Sequence, residues 1–103
     1  MSLHNPEEIL KLHRVALSFH LEDARDALLE GIDPAVVSEL PKGLAPSDQI
    51  LSDLTELNRI GRLDDGSIPL EIWILNAVSL VPRAAAAAFF EALNALPREL
   101  ARP

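Results

Sequence analysis

Three imidazoles, sixteen carboxylates and no thiol bound the chemistry open to this chain. His13 and His20 lie seven positions apart, which on a helix places them on one face about 10 Å apart. One metal ion cannot bridge that gap; zinc favours ligands three or four positions apart, completed by further Cys, His or carboxylate groups. His4 stands near the start of the chain with no partner of that kind. The adjacent acids Glu22-Asp23 and Asp64-Asp65 resemble an acid–base pair only on paper. General acid–base catalysis needs groups that converge on one substrate, and chain neighbours rarely do. Turn formation and helix N-terminal charge are the simpler roles. Asp64-Asp65-Gly66-Ser67 lacks the alternating carboxylates and closing Glu of a calcium loop. The four glycines are scattered singly, so no phosphate-binding loop forms. No serine sits in a nucleophile elbow or beside a His/Asp pair. The expectation is no catalytic residue, no cofactor and no metal.

The residues that remain belong to packing and recognition. Asn76 lies inside an apolar run, between Leu75 and Ala77. A buried amide must find partners, so it is expected to hydrogen-bond a loop backbone and pin the fold. Asn58 is placed for a similar part. Trp73, the sole tryptophan, reads as core despite the use of Trp in interfaces. Arg59 and Arg62 flank Gly61 and face Asp64-Asp65 in sequence. They make a charged corner, a candidate contact surface or a self-satisfied salt bridge.

Net charge is −7, and the whole excess falls between Glu22 and Glu56. That stretch holds nine acids, among them Glu22, Asp26, Glu30, Asp33, Asp53 and Glu56, against Arg25 and Lys42. Nucleic acid is disfavoured as a partner, because phosphate binding needs clustered Lys and Arg. An acidic face suits a basic protein surface or simply keeps the domain solvated. Partner-binding candidates are therefore Glu22, Asp26 and Glu30 on the acidic side, with Arg59, Arg62 and Asp64 at the corner. No apolar run approaches the roughly 18 residues of a membrane span. The absence of cysteine fits a reducing cytoplasm.

The elements that position these groups are helical throughout. Strand alternation is absent, while helix starts and stops recur. Asn5-Pro6-Glu7-Glu8 opens a first helix with a capping box, carrying an apolar stripe of Ile9, Leu12, Val15, Ala16 and Phe19. A second spans about 22–30 and stops at Gly31, with Ala24, Ala27, Leu28 and Ile32 inward. Asp33-Pro34 starts a short third helix that Pro41 ends. The fourth runs over about 47–60, with Ile50, Leu51, Leu54, Leu57 and Ile60 inward. The fifth starts at Pro69, with Glu71 in its first turn, and is apolar almost all round, so it should be wrapped by its neighbours. The sixth covers about 83–96, with Phe89, Phe90, Leu93 and Leu96 inward, and Pro97 ends it. With apolar residues at 49% and a length of 103, residues 1–103 read as one domain with a core of about 5–97. The fold class expected is all-α, a compact six-helix bundle around the apolar fifth helix.

Two stretches, Leu51-Ser52-Asp53-Leu54-Thr55-Glu56-Leu57-Asn58-Arg59 and Leu63-Asp64-Asp65-Gly66-Ser67-Ile68-Pro69-Leu70-Glu71-Ile72-Trp73-Ile74-Leu75-Asn76-Ala77, resemble the effector-associated domains of bacterial conflict systems. Gly31-Ile32-Asp33-Pro34 and Leu40-Pro41 add to the likeness, which spans about 5–97. The resemblance implies a death-like helical architecture and no catalytic residues. It implies an adaptor role in the cytoplasm, in which copies of the domain on two proteins associate like with like and bring a peptidase or other effector to its sensor. It also implies that Asp65, Gly66, Ser67, Pro69, Leu70, Trp73, Leu75 and Asn76 define the fold rather than bind a partner. The competing reading is an acidic module for an unrelated basic protein, such as a nuclease or toxin held by its inhibitor.

Overall fold

Proline sets the starts of the helices. A computed structural model describes residues 6–94. Within them, α1 (Pro6–Ser18), α3 (Pro34–Glu39), α4 (Pro46–Ile60) and α5 (Pro69–Leu80) each begin at a proline. The fixed φ of proline suits the first turn, where its missing N–H is not needed. α6 (Arg83–Asn94) begins directly after Pro82, whose carbonyl accepts from Ala85 and Ala86. Asp33 caps α3 by accepting from the Ala35 N–H at 2.9 Å. The expected capping box at Asn5, and the end of the last helix at Leu96 and Pro97, lie outside the described residues.

The second helix departs from expectation. In place of one helix over 22–30, a 3₁₀ turn (Leu21–Asp23) is followed by the four-residue α2 (Arg25–Leu28). Ala24 breaks the two apart at φ −112°, ψ 29°. Leu21 of the turn and Leu28 of α2 both reach the core, with exposures of 3% and 0%. Gly31 then reverses the chain at φ +86°. An added Cβ there would meet an Ile72 methyl at 3.7 Å, an ordinary van der Waals contact. It is the left-handed backbone that calls for glycine. His20 also takes that conformation, at φ 58°, and closes α1. No Gly or Asn announces that turn in the sequence.

The core is built from Trp73, Phe89, Leu12, Leu28, Ile50, Leu54, Leu57, Leu70 and Ile74, all nearly or wholly shielded from solvent. α5 packs along α6, α1 along α4, and α2 against α5. Trp73 and Phe89 join the first pair, with ring centroids 6.4 Å apart and planes tilted by 49°. α3 is held by Val36 and Leu40, which are buried. All six α-helices form one helical bundle, and there is no strand among the described residues.

Two apolar side chains read as inward, Phe19 and Phe90, stand outward. Phe19 lies beyond the end of α1 and is 38% exposed, because the chain turns at His20 before the stripe can continue. Phe90 is 46% exposed; α6 buries the face of Ala86, Phe89 and Ala92, and Phe90 falls off it. α5 is not wrapped on every side either. It buries Leu70, Trp73, Ile74 and Ala77, while Leu75 is 46% and Leu80 42% exposed. A small bundle has too few helices to surround one of its members completely.

Candidate protein-binding surface

The polar interior is built from two groups of side chains. Arg25 of α2 donates from Nε to Asp53 Oδ2 at 2.7 Å and from Nη2 to Oδ1 at 3.2 Å. Asp53 is wholly buried on α4, and Gln49 one turn earlier donates to it at 3.0 Å. The same amide donates to the Pro41 carbonyl at 2.6 Å and accepts from the Leu44 N–H at 3.4 Å. The hydrogen bond to Asp53 raises the Arg25 guanidinium above its ordinary value, against the opposing effect of burial. The sequence carried one signal for this group: Asp53 shares the inward arc of α4 with Ile50, Leu54 and Leu57. An acid on an apolar stripe needs a cation, and Arg25 supplies it.

Asn76 makes the second group, in the role expected of it. Its Nδ2 donates to the Leu28 carbonyl at 2.7 Å and to the Glu30 carbonyl at 2.8 Å. These oxygens lie where α2 gives way to the Gly31 turn, so α5 holds that turn by its backbone. Asn58 is buried, with 8% exposure. Trp73 is core, with no exposure, and its indole N–H has no hydrogen-bond partner among the described residues.

The candidate contact residues are spread over two regions. On the acidic side, Asp26 and Glu30 are exposed and form no ion pair among the described residues. Glu22 is half-buried, with Oε1 3.7 Å from His20 Nδ1. At the corner, Arg59 turns back to Glu56 on its own helix at 2.8 Å, and this bond raises its guanidinium above the ordinary value. Arg62 and Asp64 are exposed. Asp65 accepts from the Ser67 hydroxyl at 2.6 Å and from the Ser67 N–H at 2.9 Å, which hold its carboxyl below the usual range. The acidic face is thus smaller than a count of acids implies. Asp53 is interior, Asp33 is a cap and Glu56 is paired with Arg59.

Nothing in the geometry assembles a reaction centre from the groups considered. His13 Nε2 lies 3.0 Å from the Ser47 carbonyl, joining α1 to the start of α4, while His20 is beside Glu22. Glu71, at the mouth of α5, meets neither. Among the described residues no three His, Cys, Asp or Glu side chains cluster as metal ligands. Shallow surface grooves run beside α4, lined by Pro41, Asp48, Leu51 and Glu56, and beside α1, lined by Glu8, Lys11, Arg14 and Val15. No described helix is long and apolar enough to cross a membrane.

These features define a small helical bundle whose buried polar groups serve packing. A sequence model of effector-associated domain 5 matches residues 3–101, and the chain belongs to the effector-associated domain family. No curated protein and no solved structure matches it. Membership suggests an adaptor-like role in effector systems. Of the positions that carried the resemblance, Pro69, Leu70 and Trp73 are buried and Asp65, Ser67 and Asn76 hold backbone in place. Leu75 differs, being nearly half exposed on the outer face of α5.

Proposed function

We propose that this chain is a non-catalytic adaptor that recruits an effector, a peptidase among the candidates, through association with a similar domain on another chain. The family match over nearly the whole sequence carries this reading. The geometry supports it, since Asp26 and Glu30 are exposed on α2 and the turn after it. A death-like mode of assembly in bacterial immunity and a cytoplasmic setting belong to the same proposal. Arg59, Arg62 and Asp64 complete the surface as a charged second face, and Glu22 borders the first.

Light scattering over a concentration series tests the reading. Association that weakens in the double variant Asp26→Lys/Glu30→Lys supports it, provided the fold is retained. Unchanged association in that variant would mean that the acidic side only solvates the domain. Pull-down separates the competing reading: an unrelated basic enzyme as the bound protein favours an inhibitor-like module over an adaptor.

A further inference from the structure

Two helix stripes, one on α1 and one on α5, carry opposite charge beside an outward leucine. On α5, Glu71, Leu75 and Val78 follow one another at the spacing of one helix face. Leu75 is 46% exposed, and Glu71 and Val78 are half-buried. Ile72, also half-buried, widens the stripe toward Gly31. Glu30 borders it, since its carbonyl is held by Asn76 of the same helix. α5 carries no basic residue at all. On α1, Leu10, Arg14 and Leu17 repeat the same spacing. Leu10 is 45% exposed, Arg14 is exposed and Leu17 half-buried. The Arg14 guanidinium has no ion-pair partner among the described residues. One stripe is therefore acid–Leu–Val and the other Leu–base–Leu. Laid antiparallel with Arg14 against Glu71, the shared four-residue spacing sets Leu10 against Leu75, and Glu30 lies at the rim.

We infer that a second copy of this chain docks its α1 stripe (Leu10, Arg14, Leu17) on the α5 stripe (Glu71, Leu75, Val78), with Glu30 at the rim. This rests on the adaptor reading above and names the surfaces it uses. The α5 stripe does not pair with itself, because that contact would set Glu71 and Glu30 of one copy against those of the other. The contact is heterologous. Each copy keeps one free α1 stripe and one free α5 stripe, so assembly continues head to tail into a ring or an open filament.

The geometry dictates a mixing experiment. Arg14→Glu removes the α1 stripe of one chain and Leu75→Gln blocks the α5 stripe of another; Ser79→Arg, at an exposed position one turn after Leu75, is a second way to block it. All three positions lie at the surface, so circular dichroism and thermal melting should match wild type. In light scattering, each variant alone is expected to lose association by about tenfold or more. An equimolar mixture of Arg14→Glu with Leu75→Gln retains one intact contact, so it should recover a particle of two chains and grow no further. Raised salt should weaken that pair. A mixture that stays monomeric, a wild type that stays monomeric at every concentration, or variants that assemble as wild type does would each overturn the inference. If Asp26→Lys/Glu30→Lys weakens assembly while Arg14→Glu and Leu75→Gln leave it unchanged, the adaptor reading stands and this interface does not.

Discussion

Asn76 shows how much one amide can do. Its two N–H groups close on carbonyls 46 and 48 positions away, at the one place where α2 ends and the chain reverses. Asn76→Ala should cost about 1–3 kcal/mol in urea denaturation, since the partly buried Leu28 carbonyl is left unpaired while water reaches that of Glu30. Asn76→Asp keeps the shape but replaces donors with a charged acceptor facing two carbonyls, so a larger loss is expected. Asp65 offers a different check. Its carboxyl is held low by the Ser67 hydroxyl and, second, by the Ser67 N–H. A folded-state pKa below the unfolded one stabilises the fold above the unfolded value, and the gain is lost as pH falls through the folded value. The window therefore lies at and below the ordinary 3.8 of an aspartate. Carboxyl NMR titration should place Asp65 below that value, and Ser67→Ala should move it upward.

At the scale of elements, the interest lies in how weakly autonomous pieces are held. α2 has four residues and α3 six, too short to persist alone. Arg25 ties α2 to α4, Gln49 ties the loop after α3 to the start of α4, and Asn76 ties the Gly31 turn to α5. Asp53→Ala removes the acceptor shared by Arg25 and Gln49. Breaking a fully buried pair costs roughly 3–5 kcal/mol; Arg25 retains 24% exposure and can turn to water, so a loss of about 2–3 kcal/mol is expected. Hydrogen exchange should quicken first in residues 21–45, the segment those bonds hold. Glu56→Gln, at an exposed pair within one helix, should leave the denaturation midpoint where it is.

For the whole molecule, charge and packing are separated in space. The described core is almost entirely apolar, with Asp53, Gln49 and Asn58 as its buried polar members. Charge reversal at Asp26 and Glu30 should therefore change association with little effect on the melting temperature, because both side chains are exposed. An adaptor needs this separation: its surface must be free to specify a partner while its stability comes from elsewhere. The exposed leucines of α1 and α5 fit the same division, with apolar area kept outside where a second copy can cover it.

Helix starts were legible in the chain itself, because proline geometry, the Asp33 cap and the Gly31 turn act within four residues of where they sit. The core stripes of α1 and α4 were legible for the same reason, as was the need of Asn76 for a backbone partner. What tertiary structure alone decided is which groups meet across long separations. Arg25 finds Asp53 at a distance of 28 positions, Asn76 finds the end of α2, and the chain breaks at Ala24 where local pattern reads one helix. The outward faces of Leu75 and Phe90 were decided in the same way, by where neighbouring helices happen to stop. Local pattern reports what a residue prefers; only the packed neighbours determine whether water reaches it.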